Sequence, residues 1–241
     1  MSEPVEEKRP LEEVLDEVLS FNYRSLRTLR DIFLRPGHVA QTFASGDRDT
    51  YTPTMRVWFC VMSWLFILSI IWGGFGAVIL RASAANGDLL GQFIVEGRRD
   101  LEAVTDAVST LAAILFVPVS AFFTLLGPPF LRQFNLGLTK LQSIQCYFIP
   151  VTAMAVSSTI FLTASAWDSR ALNFAPFVNY SVFFLFAFQI MRPVFADSIK
   201  GAIIKSLGLM LVVMFLTMLS TILTLVTSII YALIAVPPIS G

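Results

Sequence analysis

At 241 residues the chain is long enough for one or two domains, yet 56% of it is hydrophobic and only 14% is charged. Soluble domains run at about 45–50% apolar and about 25% charged, so a soluble enzyme and a disordered chain are excluded, and two cysteines exclude a disulfide scaffold. Seventeen basic residues balance seventeen acidic ones, which leaves no net positive field for nucleic acid. What remains is an all-α, polytopic helical membrane protein.

The charge is unevenly spread. Residues 1–56 hold 8 of the 17 Lys/Arg and 10 of the 17 Asp/Glu, so a charged cytosolic arm (1–56) precedes a membrane body (57–241). The arm opens acidic, with Glu3, Glu6, Glu7, Glu12, Glu13, Asp16 and Glu17, and has no apolar run behind a basic start, so it is not a signal peptide. Leu11, Leu15 and Val18 then follow helical phase, and this acidic stretch can pair with the arginines after it or with a partner. Over residues 23–35, Leu26, Leu29 and Phe33 recur at helical spacing, extended by Tyr23 and Ile32 and surrounded by Arg24, Arg27, Arg30 and Arg35. Such a basic amphipathic helix lies in the headgroup region with its arginines on anionic lipid, or packs on its own membrane domain with the arginines solvated. The two are compatible.

Between this helix and the first span, Gly37 and Gly46 suit turns, and Pro36 and Pro53 stop helices. Tyr51, Arg56 and Trp58 suit the headgroup level. The segment reads as a hinge that sets the angle at which the chain meets the bilayer. Arg35, His38 and Arg48 are alternatively a contact for phosphate or an anionic lipid head.

Five apolar stretches then approach the roughly 20 residues needed to cross a bilayer: 57–80, 107–127, 141–166, 174–191 and 207–236. The fourth is the shortest, and the fifth is longer than one upright crossing needs. Thirteen basic residues fall on the side of the arm and four on the other, which places the N-terminus in the cytoplasm and the C-terminus outside. Gly73, Gly74, Gly76 and Ala77 offer a small-residue packing face, and Pro118 and Pro150 are expected to kink their spans.

Leu34-Arg35-Pro36-Gly37, Phe43, Gly46, Arg48, Tyr51, Pro53 and Arg56 together resemble a bacterial family of polytopic membrane proteins with a domain of unknown function. Its members carry a Leu-x-Arg-Pro-Gly element, an aromatic-x-x-Gly-x-Arg and then Tyr-x-x-Pro before the first span. The resemblance implies a multi-pass protein of the bacterial inner membrane. Many such relatives begin with a Cys-rich zinc ribbon, and a Glu-His pair is expected near their third span. Here that region reads LQSIQCYFIP. More remotely, five spans behind a cytosolic arm look like the Yip/Rab-interacting membrane-protein superfamily, on topology alone.

No catalytic, cofactor-binding or metal-ligating set emerges, since the single His38 lacks nearby cysteines and no nucleophile or phosphate-loop motif is present. Cys60 and Cys146 read as packing residues. No ionisable group lies deep in a span, which argues against an ion-coupled transporter. Thr217, Thr221, Thr224 and Ser228 form a stripe on the last span, and Ser157, Ser158, Thr159 and Thr163 cluster in the third. With Asn179 and Gln189 they serve as helix-packing glue or line a polar groove between the third and fifth spans. The expected role is a non-catalytic scaffold, assembly or envelope-organising factor, with membrane lipids and a protein met through residues 1–35 as partners, and homo-oligomerisation open. The alternative is a small permease, channel-like or lipid-handling transporter.

Overall fold

The computed structural model describes residues 23–71, 101–165 and 171–237, and these contain helices and no strand. Two short helices come first, α1 (Tyr23–Leu34) and α2 (Pro36–Ala44). The long helices α3 (Thr54–Ile71) and α4 (Leu101–Thr124) follow, then the single turn-and-a-half α5 (Pro128–Arg132). Three more long helices complete the fold: α6 (Lys140–Ser165), α7 (Ala171–Val194) and α8 (Ile199–Ala235). Five stretches are long and apolar enough to cross a membrane, namely Thr54–Ile71, Asp106–Arg132, Lys140–Ala164, Phe174–Val194 and Ile199–Ala235. This is a multi-pass helical membrane protein. Helices are the physical answer to such sequences, because a bilayer offers no water to backbone N–H and C=O groups.

The fourth span, expected over 174–191, is part of a helix of 24 residues. The fifth begins at Ile199 rather than Leu207 and runs for 37 residues, about 55 Å of continuous helix. Lys200 and Lys205 looked like loop charges but ride on its first two turns. Ser198 caps it by accepting the Gly201 N–H at 3.1 Å. The expected first span to 80 is described only to Ile71, so Gly73, Gly74, Gly76 and Ala77 lie outside the described residues.

The five long helices form a ring of neighbours. α6 packs between α3 and α7, α7 packs on α8, α8 on α4, and α4 returns to α3. At the end near α1 and α2, α6 is the central element, and Gln145 to Ala153 are buried without interruption. The same core takes in Ile32, Val39, Ala40, Phe43 and Tyr51 from before the first span, so the described part of the arm is built into the bundle.

One corner depends on a glycine. A Cβ on Gly127, between α4 and α5, would lie 2.0 Å from the Tyr147 hydroxyl oxygen and 2.2 Å from Cζ. Tyr147 is fully buried on α6, so only glycine leaves room for its ring tip.

Candidate functional site

Residues 23–53 form a small module clamped against one end of the bundle. On α1 the buried positions are Ser25, Thr28, Asp31 and Ile32, while Leu26 is 42% exposed, Phe33 39% and Leu34 69%. Of the apolar stripe read from the sequence, Leu26 and Phe33 are exposed, Leu29 is half-buried and Ile32 is fully buried beside the polar Ser25, Thr28 and Asp31. The reason lies in the loop before α3. The Thr28 hydroxyl accepts the Thr52 N–H at 2.9 Å, Ser25 lies 3.3 Å from the Thr52 hydroxyl, and Tyr51 donates its phenolic hydrogen to Asp31 Oδ2 at 3.1 Å. These bonds satisfy polar groups that burial would otherwise penalise by several kcal/mol. Phe33 also meets Phe186 of α7 edge-on at 5.4 Å, and Phe186 lies about 12 Å along the axis from the end of that helix.

The Pro-Gly element follows directly on the end of α1 at Leu34, as expected. Pro36 opens α2 at its first turn, where a missing N–H costs nothing, and Gly37 lies inside that helix. Gly37 allows close approach instead: a Cβ there would sit 3.0 Å from the Gln189 carbonyl oxygen of α7 and 3.4 Å from Pro193. Pro193 has no N–H to give the carbonyl four residues back, so Gln189 keeps a free acceptor on the surface where α2 docks. Gly46, at φ 89°, is a turn glycine as expected. Pro53 precedes α3, and its carbonyl accepts the N–H groups of Arg56 and Val57. Tyr51 and Trp58, expected at headgroup level, are 2% and 1% exposed and belong to the core, whereas Arg56 is exposed.

Thr54, Gln142 and Gln145, which the sequence did not single out, fasten the module together with Cys146. Gln145 of α6 accepts the Thr54 N–H at 2.6 Å, and the Thr54 hydroxyl lies 2.6 Å from the Gln145 carbonyl oxygen and 2.9 Å from its side-chain oxygen. Gln142 donates to the Ala44 carbonyl at 2.9 Å, closing the end of α2 onto α6. The Cys146 thiol points to the Ala40 carbonyl at 3.6 Å. Both glutamines stand in the LQSIQCYFIP stretch, where neutral amides act as fasteners.

Around Tyr51 the basic residues gather. Arg24 donates to the Arg48 and Tyr51 carbonyl oxygens at 2.5 and 3.0 Å, so it is structural and not free for lipid. Arg27 lies over the Tyr51 ring at 5.9 Å, and His38 meets the same ring edge-on at 6.4 Å. Arg30 pairs with Asp31 at 2.8 Å but is itself 63% exposed. Arg27, Arg35, His38 and Arg48 are exposed. Burial would raise the Asp31 carboxyl, but hydrogen bonds from Arg30 and Tyr51 and the charges of Arg30 and Arg27 outweigh it and hold the group below its ordinary 3.8. The Tyr51 phenol is pushed up by burial and by bonding to Asp31, against the opposing charges of Arg27 and Arg35. Asp47 is held down by the Thr50 hydroxyl and by the Asp49 and Thr50 N–H groups of its own turn.

All described Lys and Arg residues lie at this end: the six arginines up to Arg56, then Arg132, Lys140, Arg192, Lys200 and Lys205. Lys205 donates to the Phe134 and Phe195 carbonyls, the latter just past the end of α7, where helix carbonyls favour a cation. Among the described residues no group of three or more His, Cys, Asp or Glu is placed to hold a metal ion.

The residues expected to line a polar groove are divided between different contacts. α8 packs on α4 and α7, with a smaller contact to α5, so the fourth span stands between the third and the fifth. Asn179 donates to Ser158, joining α7 to α6 at 2.9 Å, and Tyr180 and Thr217 share a 2.6 Å bond joining α7 to α8. The buried seam of α8 runs through Ser206, Ser220, Thr224 and Ser228, with Ser220 3.5 Å from Ser120 of α4. Thr217 and Thr221 are only partly buried and do not share this fully buried seam. Thr217, Thr221 and Ser228 donate to carbonyls of their own helix, as do Ser158, Thr159 and Thr163. Gln189 is exposed on α7.

The family described as "Protein of unknown function (DUF3667)" matches residues 24–66. That stretch covers the clamped module and most of α3, including every position from Leu34 to Arg56 on which the family resemblance rests. No curated protein and no solved structure matches the chain.

Proposed function

We propose that the protein is a non-catalytic, multi-pass factor of the bacterial inner membrane, a scaffold or envelope-organising protein that holds anionic lipid against its N-terminal module. The observation carrying this reading is the exposed side of α1 and its end: Ser25, Thr28, Asp31 and Ile32 are hidden in protein, while Leu26, Phe33 and Leu34 are exposed together with Arg27, Arg30 and Arg35. In water that face would be costly; at a bilayer surface the apolar groups enter the acyl boundary and the guanidiniums reach phosphates. The basic residues gathered at this end support a cytoplasmic N-terminus, and five crossings then put the C-terminus outside. A reporter fused after Gly241 is expected to be active only outside.

Spin-labelled phosphatidylglycerol in reconstituted vesicles tests the lipid reading. Its motionally restricted fraction is expected to exceed that of spin-labelled phosphatidylcholine. Replacing Arg27, Arg30 and Arg35 by Gln together is expected to lower that preference about fivefold at low salt. A preference unchanged by the triple substitution contradicts the reading.

One observation favours the permease alternative: Asn179 Oδ1 and Thr224 Oγ1 are buried without a hydrogen-bond partner. Each is a place where a passing polar solute or water gains a bond. Solute flux through vesicles, lost on Asn179→Leu, would support that reading, and its absence across a solute panel would remove it.

A further inference from the structure

The basic face of α1 has a second suitor in the same chain. Residues 3–17 carry seven carboxylates against Lys8 and Arg9, and the described part of α1 opens six residues later at Tyr23. Six residues span at most about 20 Å, whereas Arg27 and Arg30 lie within about 11 Å of Tyr23 along the axis of α1. The module itself is short of anions. Six arginines from Arg24 to Arg56 face three aspartates. Asp31 is engaged by Arg30 and Tyr51, and Asp47 is closed into its own turn.

We propose that the acidic segment 3–17 is a built-in competitor for the basic face of α1, occupying Arg27, Arg30 and Arg35 and weakening their hold on anionic lipid. The proposal rests on the lipid reading above. The tether gives the segment an effective concentration on the order of millimolar at those arginines, so several weak ion pairs suffice to compete with a bilayer of moderate anionic content. A membrane richer in anionic lipid, or any cation that neutralises the seven carboxylates, tips the arginines toward phosphate. The module thereby becomes a graded sensor of surface charge and not a constant anchor.

The full chain reconstituted in phosphatidylcholine vesicles with spin-labelled phosphatidylglycerol provides the test. Two variants are compared with it: all seven acids of residues 3–17 replaced by Gln or Asn, and residues 2–22 deleted. Each is expected to raise the phosphatidylglycerol preference about threefold at low ionic strength. The gain is expected to vanish near 1 M salt, where screening acts within about 3 Å. If both variants match the parent while the Arg27, Arg30 and Arg35 triple substitution still abolishes the preference, the competitor is overturned and the lipid reading stands. A gain that persists at 1 M salt overturns it as well, since the contact is then not electrostatic. If the triple substitution changes nothing, the lipid reading falls and takes this proposal with it.

Discussion

Polar side chains do different work at the two ends of this bundle. Near α1 and α2 they bridge elements far apart in the chain: Thr54 to Gln145, Gln142 to Ala44, Asn135 to Val194, and Lys205 to Phe134 and Phe195. In the interior of α8, hydroxyls mostly turn back on their own helix, as Thr221 and Ser228 do. A bond to one's own helix survives any sliding of that helix, whereas a bond between elements fixes a position. The basic end is therefore specified by directional contacts, and the seam of α4 with α8 by close packing of small residues.

The largest expected effect is at the corner where α4 meets α5. Gly127→Ala is expected to destabilise the protein by about 3 kcal/mol, because the Tyr147 ring has nowhere to move. Tyr147→Phe removes a buried hydroxyl that has no hydrogen-bond partner and is expected to be neutral or slightly stabilising. Denaturant unfolding in nanodiscs reads both, and a costly Tyr147→Phe would reveal a partner at that hydroxyl.

Next comes the clamp. Gln145→Leu leaves the buried Thr54 N–H without a partner, while the Thr54 hydroxyl keeps the backbone carbonyl of residue 145, and is expected to cost about 2 kcal/mol. Protease sensitivity of the segment 45–53 is expected to rise with it.

The module also has an acid limit. The Asp31 carboxyl is held below 3.8 in the folded protein, so its contribution is complete above the unfolded value and is lost as pH falls below about 4 through the folded one. Asp31→Asn is expected to flatten this part of the stability profile. A profile with the same acid slope in both proteins would assign that slope to another group.

The smallest effect belongs to the hydroxyl seam, where Ser228→Ala is expected to cost about 0.6 kcal/mol or less. If Ser228→Ala proves as damaging as Gln145→Leu, the contrast between the two ends collapses.

Most of the fold was legible because a bilayer leaves an apolar stretch of 20 residues little choice but a helix. The start of α8 was not, because Lys200 and Lys205 looked like the end of a loop. Their charge is tolerated where Lys205 reaches two carbonyls at the edge of the bundle. The surroundings of α1 were left open by the sequence. Periodicity locates an apolar stripe but not the solvent it faces, and here Ser25, Thr28 and Asp31 found better partners inside the protein than in water. Gly37 looked like a turn residue because its reason, the Gln189 carbonyl freed by Pro193, lies more than 150 residues away. The sequence singled out Arg24, Arg27, Arg30, Arg35, His38 and Arg48 as a lipid or anion contact, but not the Tyr51–Asp31 pair that Arg27 and Arg30 lie against.

The orientation of α1 is the claim on which the rest depends. It is tested most directly by a nitroxide at Leu34→Cys, compared with one at Arg48→Cys, in protein lacking Cys60 and Cys146 and reconstituted in vesicles. The label at Leu34 is expected to collide readily with oxygen and to be shielded from a water-soluble nickel chelate, with the reverse at Arg48. Equal exposure of both labels to the chelate would place α1 in water and contradict the account.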